Sequence, residues 1–140
     1  MSSIFNKWEG PDGLNEHIFR ETGCKTYSGA GINPRPALKT TILKSVDDTY
    51  YYANNLENPE LLEYTLFGHN GDQDENEKKF NEPFLNPAKT EHIYLYRVTK
   101  DRNQKYIWYG KYEIVGRTIK RNEGRDHLMR NIIVLSMRKV

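Results

Sequence analysis

From Ala37 to the last residue the sequence is a succession of short β-prone runs separated by glycine, proline and acidic punctuation. Leu38 to Val46 carries Thr40, Thr41 and Ile42 in a row, and Thr49 to Tyr52 is aromatic. Leu61 to Phe67, Ile93 to Val98, Tyr106 to Tyr109, Lys111 to Val115 and Asn131 to Val140 complete the set. β-Branched and aromatic side chains suit the pleated, half-buried surface of a strand. Gly110, between two of the runs, marks a bend or bulge. Gly68 to Lys79 reads as an acidic loop, and residues 122 to 130 as one or two helical turns. Several short strands with little helix predict a barrel or sandwich.

The first 36 residues differ. Ile4, Phe5 and Trp8 share one helical face, and Gly10, Pro11, Asp12 and Gly13 then break the chain. Leu14 to Glu21 predicts a second short helix with Gly23 just past its end. Residues 23 to 37 read as a loop, with Pro34 and Pro36 forcing extended backbone around Arg35. The expected organisation is a helical or irregular segment over 1–36 packed on a β domain over 37–140.

A chain of 140 residues with 36% hydrophobic content supports one modest core. Ten Tyr, five Phe and two Trp supply rings suited to half-buried surfaces and binding faces. The lone Cys24 makes no internal disulfide, which fits a reducing compartment. No apolar stretch approaches the ~18 residues of a membrane span, and no secretory pattern opens the chain. The expectation is a soluble intracellular protein, of nucleus or cytoplasm, without a membrane partner.

Charge is segregated. The net +2 divides into +1 over residues 1–40, −7 over 41–91 and +8 over 92–140. A cationic stretch is the footprint of a polyanion partner; attraction between two halves of one fold is the alternative.

Signals for catalysis are weak. His17, His69, His92 and His127 stand alone, and there is no GxSxG, P-loop or CxxC. The run Asp72, Gln73, Asp74, Glu75 lacks the glycine and terminal glutamate of an EF-hand loop and reads as a solvated loop. A metal-dependent enzyme using His69, Asp72 and Asp74 is the weaker alternative to a chain with no catalytic residue, cofactor or metal.

The stretch Tyr50, Tyr51, Tyr52, Ala53, Asn54, Asn55, followed by Glu63, Tyr64, Thr65, sets aromatic faces near amide edges. An extruded base needs both. A ring replaces lost stacking at ~1–3 kcal/mol per base, and a polar side chain reads the Watson–Crick edge. Alternate tyrosines of a strand also face a core, and the residues alone leave both readings open.

Tyr64 and Thr65, then Gly68, Gly71, Asp72 and Gln73, then Asn81, resemble the YTGxGG…DQ…N pattern of the SRA (SET- and RING-associated) family. Tyr109, Gly110, Lys111 and Tyr112 resemble its YDG-type signature, and Arg125 to Arg130 its C-terminal end. The likeness covers about residues 38 to 140. It implies an α+β fold, mainly β with short helices, built as a PUA-like twisted β-barrel. It also implies a non-catalytic DNA-binding function in which a modified cytosine, such as 5-methylcytosine, is flipped into a pocket.

By position, the resemblance places stacking rings at Tyr52 and Tyr64, a pocket threonine at Thr65 and the base reader at Asn55, where the family has aspartate. A carboxylate only accepts hydrogen bonds; an amide also donates. Asn55 therefore suits cytosine and equally a thymine- or uracil-like edge. Leu66 and Phe67 replace small residues, and their bulk either wedges a vacated stack or closes the pocket. Phe67, His69 and Asn70 are the expected wedge or loop contacts. The His69 to Asp72 loop is too short for the long finger of some eukaryotic members.

Arg117, Lys120, Arg121 and Arg125 form the densest cationic run and the expected backbone clamp, with Arg130 beyond it and Arg35, Lys39 and Lys44 near the pocket. Such groups hold phosphates and set register without reading sequence. The expected partner is duplex DNA carrying a modified pyrimidine. The alternatives are a PUA-like module on RNA or on nucleic acid nonspecifically, and a recognition subunit of a modification-dependent restriction-like system with a nuclease or chromatin partner.

Overall fold

A computed structural model describes residues 6–25, 31–100 and 102–140. Among them are strands β1 (Lys7–Trp8), β2 (Ile32–Arg35), β3 (Thr40–Val46), β4 (Leu61–Thr65), β5 (His92–Val98), β6 (Tyr106–Glu123) and β7 (Met129–Lys139), and helices α1 (Pro11–Thr22) and α2 (Asn81–Leu85). The strands make one sheet in the order β2-β3-β5-β6-β7-β4, with β1 paired to β6. β3 and β5 run parallel and the other pairs antiparallel. The fold is α+β and barrel-like, but the sheet does not close, because β2 and β4 remain its two ends.

Alternation along the strands divides the apolar residues between two faces, as period-two pleating requires. Leu43, Ile93, Leu95, Ile107 and Tyr109 face an inner core with Leu62, Tyr64, Ile133, Leu135 and Met137. Ile42, Tyr96, Val98 and Trp108 face outward, where Leu14, Ile18 and Cys24 cover them. α1 thus seals the outer face. Pro11 opens it, and Gly23 at φ +78° ends it by donating its N–H to the Phe19 carbonyl. Gly13 allows this helix to approach β1, since a Cβ there would strike the Trp8 ring.

Two irregularities in β6 govern what faces inward. Leu95 pairs with Gly110 but Tyr96 pairs with Trp108, so Tyr109 is an extra residue, with Gly110 at φ +97° beside it. The bulge reverses parity. Ile107 and Tyr109 point inward before it, Tyr112 and Ile114 after it. The single strand replaces the two runs expected on either side of Gly110. A second irregularity between Ile114 and Gly116 extrudes Val115, which is exposed.

The loop after β4 is folded by its own amides. Gln73 Oε1 accepts the Ile133 N–H at 2.8 Å, and its Nε2 donates to the carbonyls of Leu66 and Gly68. Asp72 Oδ1 accepts the Asn131 N–H at 2.8 Å. Fully buried Asn81 accepts the Phe67 N–H and donates to the carbonyls of Phe67 and Asp74. Side chains here make bonds that a strand ladder makes elsewhere, so buried backbone groups stay paired. The Glu77 carboxylate accepts the N–H groups of Lys79, Phe80 and Asn81 where α2 begins.

Several expectations change. Residues 32–35 form β2 rather than loop, as an edge strand that tolerates Pro34. β1 and β2 both join the sheet, and the boundary expected after residue 36 falls between paired strands. Tyr50 to Tyr52 form a turn, not a strand: Asp48 adopts φ +62° and the Tyr52 N–H bonds to the Thr49 carbonyl. Residues 124–128 are the turn of a β6–β7 hairpin, not helix, with His127 at φ +66°. Trp8 lies in β1; the helical partners expected for it, Ile4 and Phe5, lie outside the described residues. No helix among the described residues is long and apolar enough to cross a membrane.

Candidate functional site

Between the two ends of the sheet lies a hollow of about 960 Å³. Gly31 and Ile32 at β2, Lys44 to Val46 at the end of β3, and Tyr64 to Leu66 at the end of β4 form its base. The 47–57 loop, Phe67, His69, Phe80 and Arg97 complete the lining.

Tyr64 spans the gap that the ladder leaves. Its hydroxyl lies 2.9 Å from both the Gly31 and the Lys44 carbonyl oxygens, one from each side of the β2–β3 hairpin. The residue is 3% exposed, and burial pushes its phenol well above the ordinary value. Tyr64 is therefore the floor of the hollow and part of the inner core, not a free-standing ring.

Asn54 and Thr65 supply fixed polar groups. Asn54 Oδ1 accepts the Thr65 N–H at 2.7 Å, and its Nδ2 donates to Ser45 Oγ at 3.0 Å. Thr65 Oγ1 accepts the Ala53 N–H at 3.0 Å. Asn55 lies elsewhere. It pairs with Glu63 on the edge of β4, is exposed, and turns its Oδ1 to the Glu57 N–H. Residues opposite one another share a face, so Asn55 lies with Glu63, whereas Asn54 falls on the Tyr64 side. The side chain expected at Asn55 thus lies off the hollow, and its neighbour Asn54 is the amide that lines it.

One wall is aromatic. Tyr51 lies 4.9 Å from Tyr52 and 5.3 Å from His69, and His69 lies 5.4 Å from Phe67, which packs on Phe80 at 4.6 Å. Burial, with Arg125 and Arg130 nearby, holds the His69 imidazole below its ordinary value. Burial raises the Tyr52 phenol against the opposing pull of a hydrogen bond from the Gly68 backbone. The opposite lip is charged. Arg97 forms a two-pronged pair with Asp47 at 2.7 and 2.6 Å, and that pairing raises its guanidinium further. Burial lowers the Lys44 ammonium.

The expected backbone clamp divides. Arg121 and Arg125 are exposed; Arg121 reaches Asn131, and Arg125 lies 5.7 Å over the Tyr51 ring. Arg117 pairs with Glu75, and Lys120 with Glu63 at 2.9 Å. Lys39 is exposed and donates to the Ala88 carbonyl, and Arg35 donates to the Pro34 carbonyl. Arg130 is not a surface cation. It is 2% exposed and donates to the carbonyls of Gly68, Gly71 and Tyr51, with no carboxylate of the described residues within ion-pair distance. It ties the 68–71 loop to the tyrosine turn, and burial lowers its guanidinium. Asn70 is exposed outside the hollow, where its Oδ1 accepts the Asp126 N–H. Among the described residues no three His, Cys, Asp or Glu side chains converge as metal ligands, so His69, Asp72 and Asp74 are not gathered.

No protein-family model and no curated protein matches the sequence. Solved structures do match. The sulfur-binding and SRA domains of ScoMcrA complexed with phosphorothioated DNA align at TM-score 0.60 and 19% identity, over 100% of this chain and 40% of that one. The type IV phosphorothioation-dependent restriction endonuclease ScoMcrA aligns at TM-score 0.66 and 19% identity, over 100% of this chain and 25% of that one. The SUVH5 SRA complex with methylated CHH DNA aligns at TM-score 0.60 and 17% identity, over 89% and 82% of the two chains. This chain therefore spans well under half of either ScoMcrA structure. The chain has the fold of SRA domains.

Proposed function

We propose that this chain is a non-catalytic module that binds duplex DNA and reads a modified base turned out into the hollow. The observation that carries the reading is the aromatic-walled hollow between the ends of an SRA-type sheet. That fold binds methylated DNA in SUVH5 and occurs with phosphorothioated DNA in ScoMcrA. The extruded base meets Tyr52, Phe67 and His69 as ring partners and Tyr64 as floor. Asn54 and Thr65 present polar groups whose positions are already fixed, which limits the ordering cost of binding. Arg121 and Arg125 hold phosphates at the rim. The test is a set of duplexes identical but for one base, cytosine or 5-methylcytosine. Affinities that stay equal across the set at two salt concentrations remove the reading.

A second reading makes the chain the recognition part of a larger restriction-like assembly. The modification-dependent restriction endonuclease TagI aligns at TM-score 0.58 and 14% identity, with 47% of its chain covered, so this fold is only a portion of such enzymes. The expectation is that the chain alone binds modified duplex in Mg²⁺ without cutting it. Cleavage by the purified chain, lost in variants of the hollow, overturns the non-catalytic assignment.

A further inference from the structure

Turning out a nucleotide leaves a hole in the base stack, and proteins that unstack DNA commonly fill such holes with an apolar side chain. The 69–72 segment is unsuited to that task, since Asp72 is held by Asn131 and Asn70 by Asp126. The turn of the β6–β7 hairpin offers a different element. Five contacts fix it to the rim. Arg125 N–H donates to the His69 carbonyl at 2.8 Å, and Asp126 N–H to Asn70 Oδ1 at 2.8 Å. Tyr50 donates its hydroxyl to the Arg125 carbonyl at 2.8 Å and takes the Asn122 amide on its own carbonyl at 3.2 Å. The His127 and Tyr50 rings stack 5.2 Å apart and nearly parallel, at 5°.

On this anchored turn Leu128 is 67% exposed, an apolar side chain at the edge of an aromatic hollow, with exposed Arg121 and Arg125 both preceding it in the sequence. Met129 follows at 57% exposure. An anchored, exposed apolar point close in sequence to two exposed arginines matches one occupant, the stacked bases of a duplex whose phosphates pair with the arginines. We propose that the β6–β7 turn, led by Leu128, enters the duplex and occupies the place of the extruded base. This rests on the reading of the hollow given above.

The experiment uses one oligonucleotide with a single 5-methylcytosine, as a duplex and as a single strand. A single strand has no stack to refill. Leu128→Ala is expected to lower duplex affinity about tenfold and leave single-strand affinity unchanged. Leu128→Met is expected to restore duplex binding. Asn54→Ala, which alters the hollow, is expected to weaken both substrates. Unchanged duplex affinity in Leu128→Ala, or an equal loss on both substrates, overturns the wedge while leaving the hollow standing. Failure of the unaltered chain to prefer 5-methylcytosine over cytosine in either form removes the underlying reading, and the wedge with it.

Discussion

Asn54 and Thr65 hold one another across the edge of the hollow: Asn54 Oδ1 accepts the Thr65 N–H at 2.7 Å, and Thr65 Oγ1 accepts the N–H of Ala53 at 3.0 Å. Truncating either leaves a half-buried donor without its partner, which costs about 1–3 kcal/mol. Asn54→Ala is therefore expected to lower unfolding free energy by about that amount and to reduce discrimination between modified and plain duplex. Asn55→Ala loses only an exposed turn bond to Glu57 and is expected to cost under about 1 kcal/mol. Asn55→Asp is expected to leave base preference unchanged. Denaturant unfolding and duplex titration of the three variants check this.

The Tyr64 hydroxyl does a structural job that its ring does not. Tyr64→Phe keeps the floor and removes the bridge to Gly31 and Lys44. The expected loss is about 1 kcal/mol, with binding nearly unchanged. Tyr64→Ala also opens a cavity beneath the hollow and is expected to cost about 3–5 kcal/mol. Equal destabilisation by the two substitutions contradicts the floor assignment.

Arg130 and Arg121 are expected to respond oppositely to mutation. Arg130→Gln strips a buried guanidinium from carbonyls of Gly68, Gly71 and Tyr51, and is expected to destabilise the chain by about 2–4 kcal/mol. Because Arg130 is buried, the salt dependence of DNA binding by the variant's folded fraction keeps its slope. Arg121→Ala is expected to leave stability within about 0.5 kcal/mol. It weakens binding to all sequences alike and lowers the slope of log affinity against log salt by about one. Unfolding curves and salt titrations together separate the two arginines.

How much was legible in the sequence follows from what each signal encodes. β3, β5 and β7 were readable because apolar and β-branched residues run together in strands buried on both faces. The tyrosine turn misled for the same reason. Tyr50, Tyr51 and Tyr52 have strand composition, but their rings pack on one another after Asp48 turns the chain. A count along the chain reached Asn55, which lies off the hollow that Asn54 lines, because the face depends on pairing with Glu63, a relation between two segments. Arg130 looked like its cationic neighbours because composition carries no burial. The motif residues Asp72, Gln73 and Asn81 were visible as a pattern, while the work of Asp72 and Gln73, accepting backbone N–H groups of β7, needs the position of that strand.

His69 makes stability depend on mild acid. Its imidazole sits among Tyr51, Tyr52 and Phe67, and burial together with Arg125 and Arg130 lowers its proton affinity in the folded state. The unfolded chain therefore binds the proton more tightly. Stability from this group is complete above the unfolded value of about 6.5 and declines as pH falls through that value toward the lower folded one. Paired carboxylates begin to titrate only at lower pH, and comparison with His69→Gln separates this histidine from the chain's other three. The melting temperature is expected to fall more steeply across the interval just below about pH 6.5 in the unaltered chain than in His69→Gln. An unaltered slope in the variant assigns the titration to another group and removes His69 from the half-buried wall.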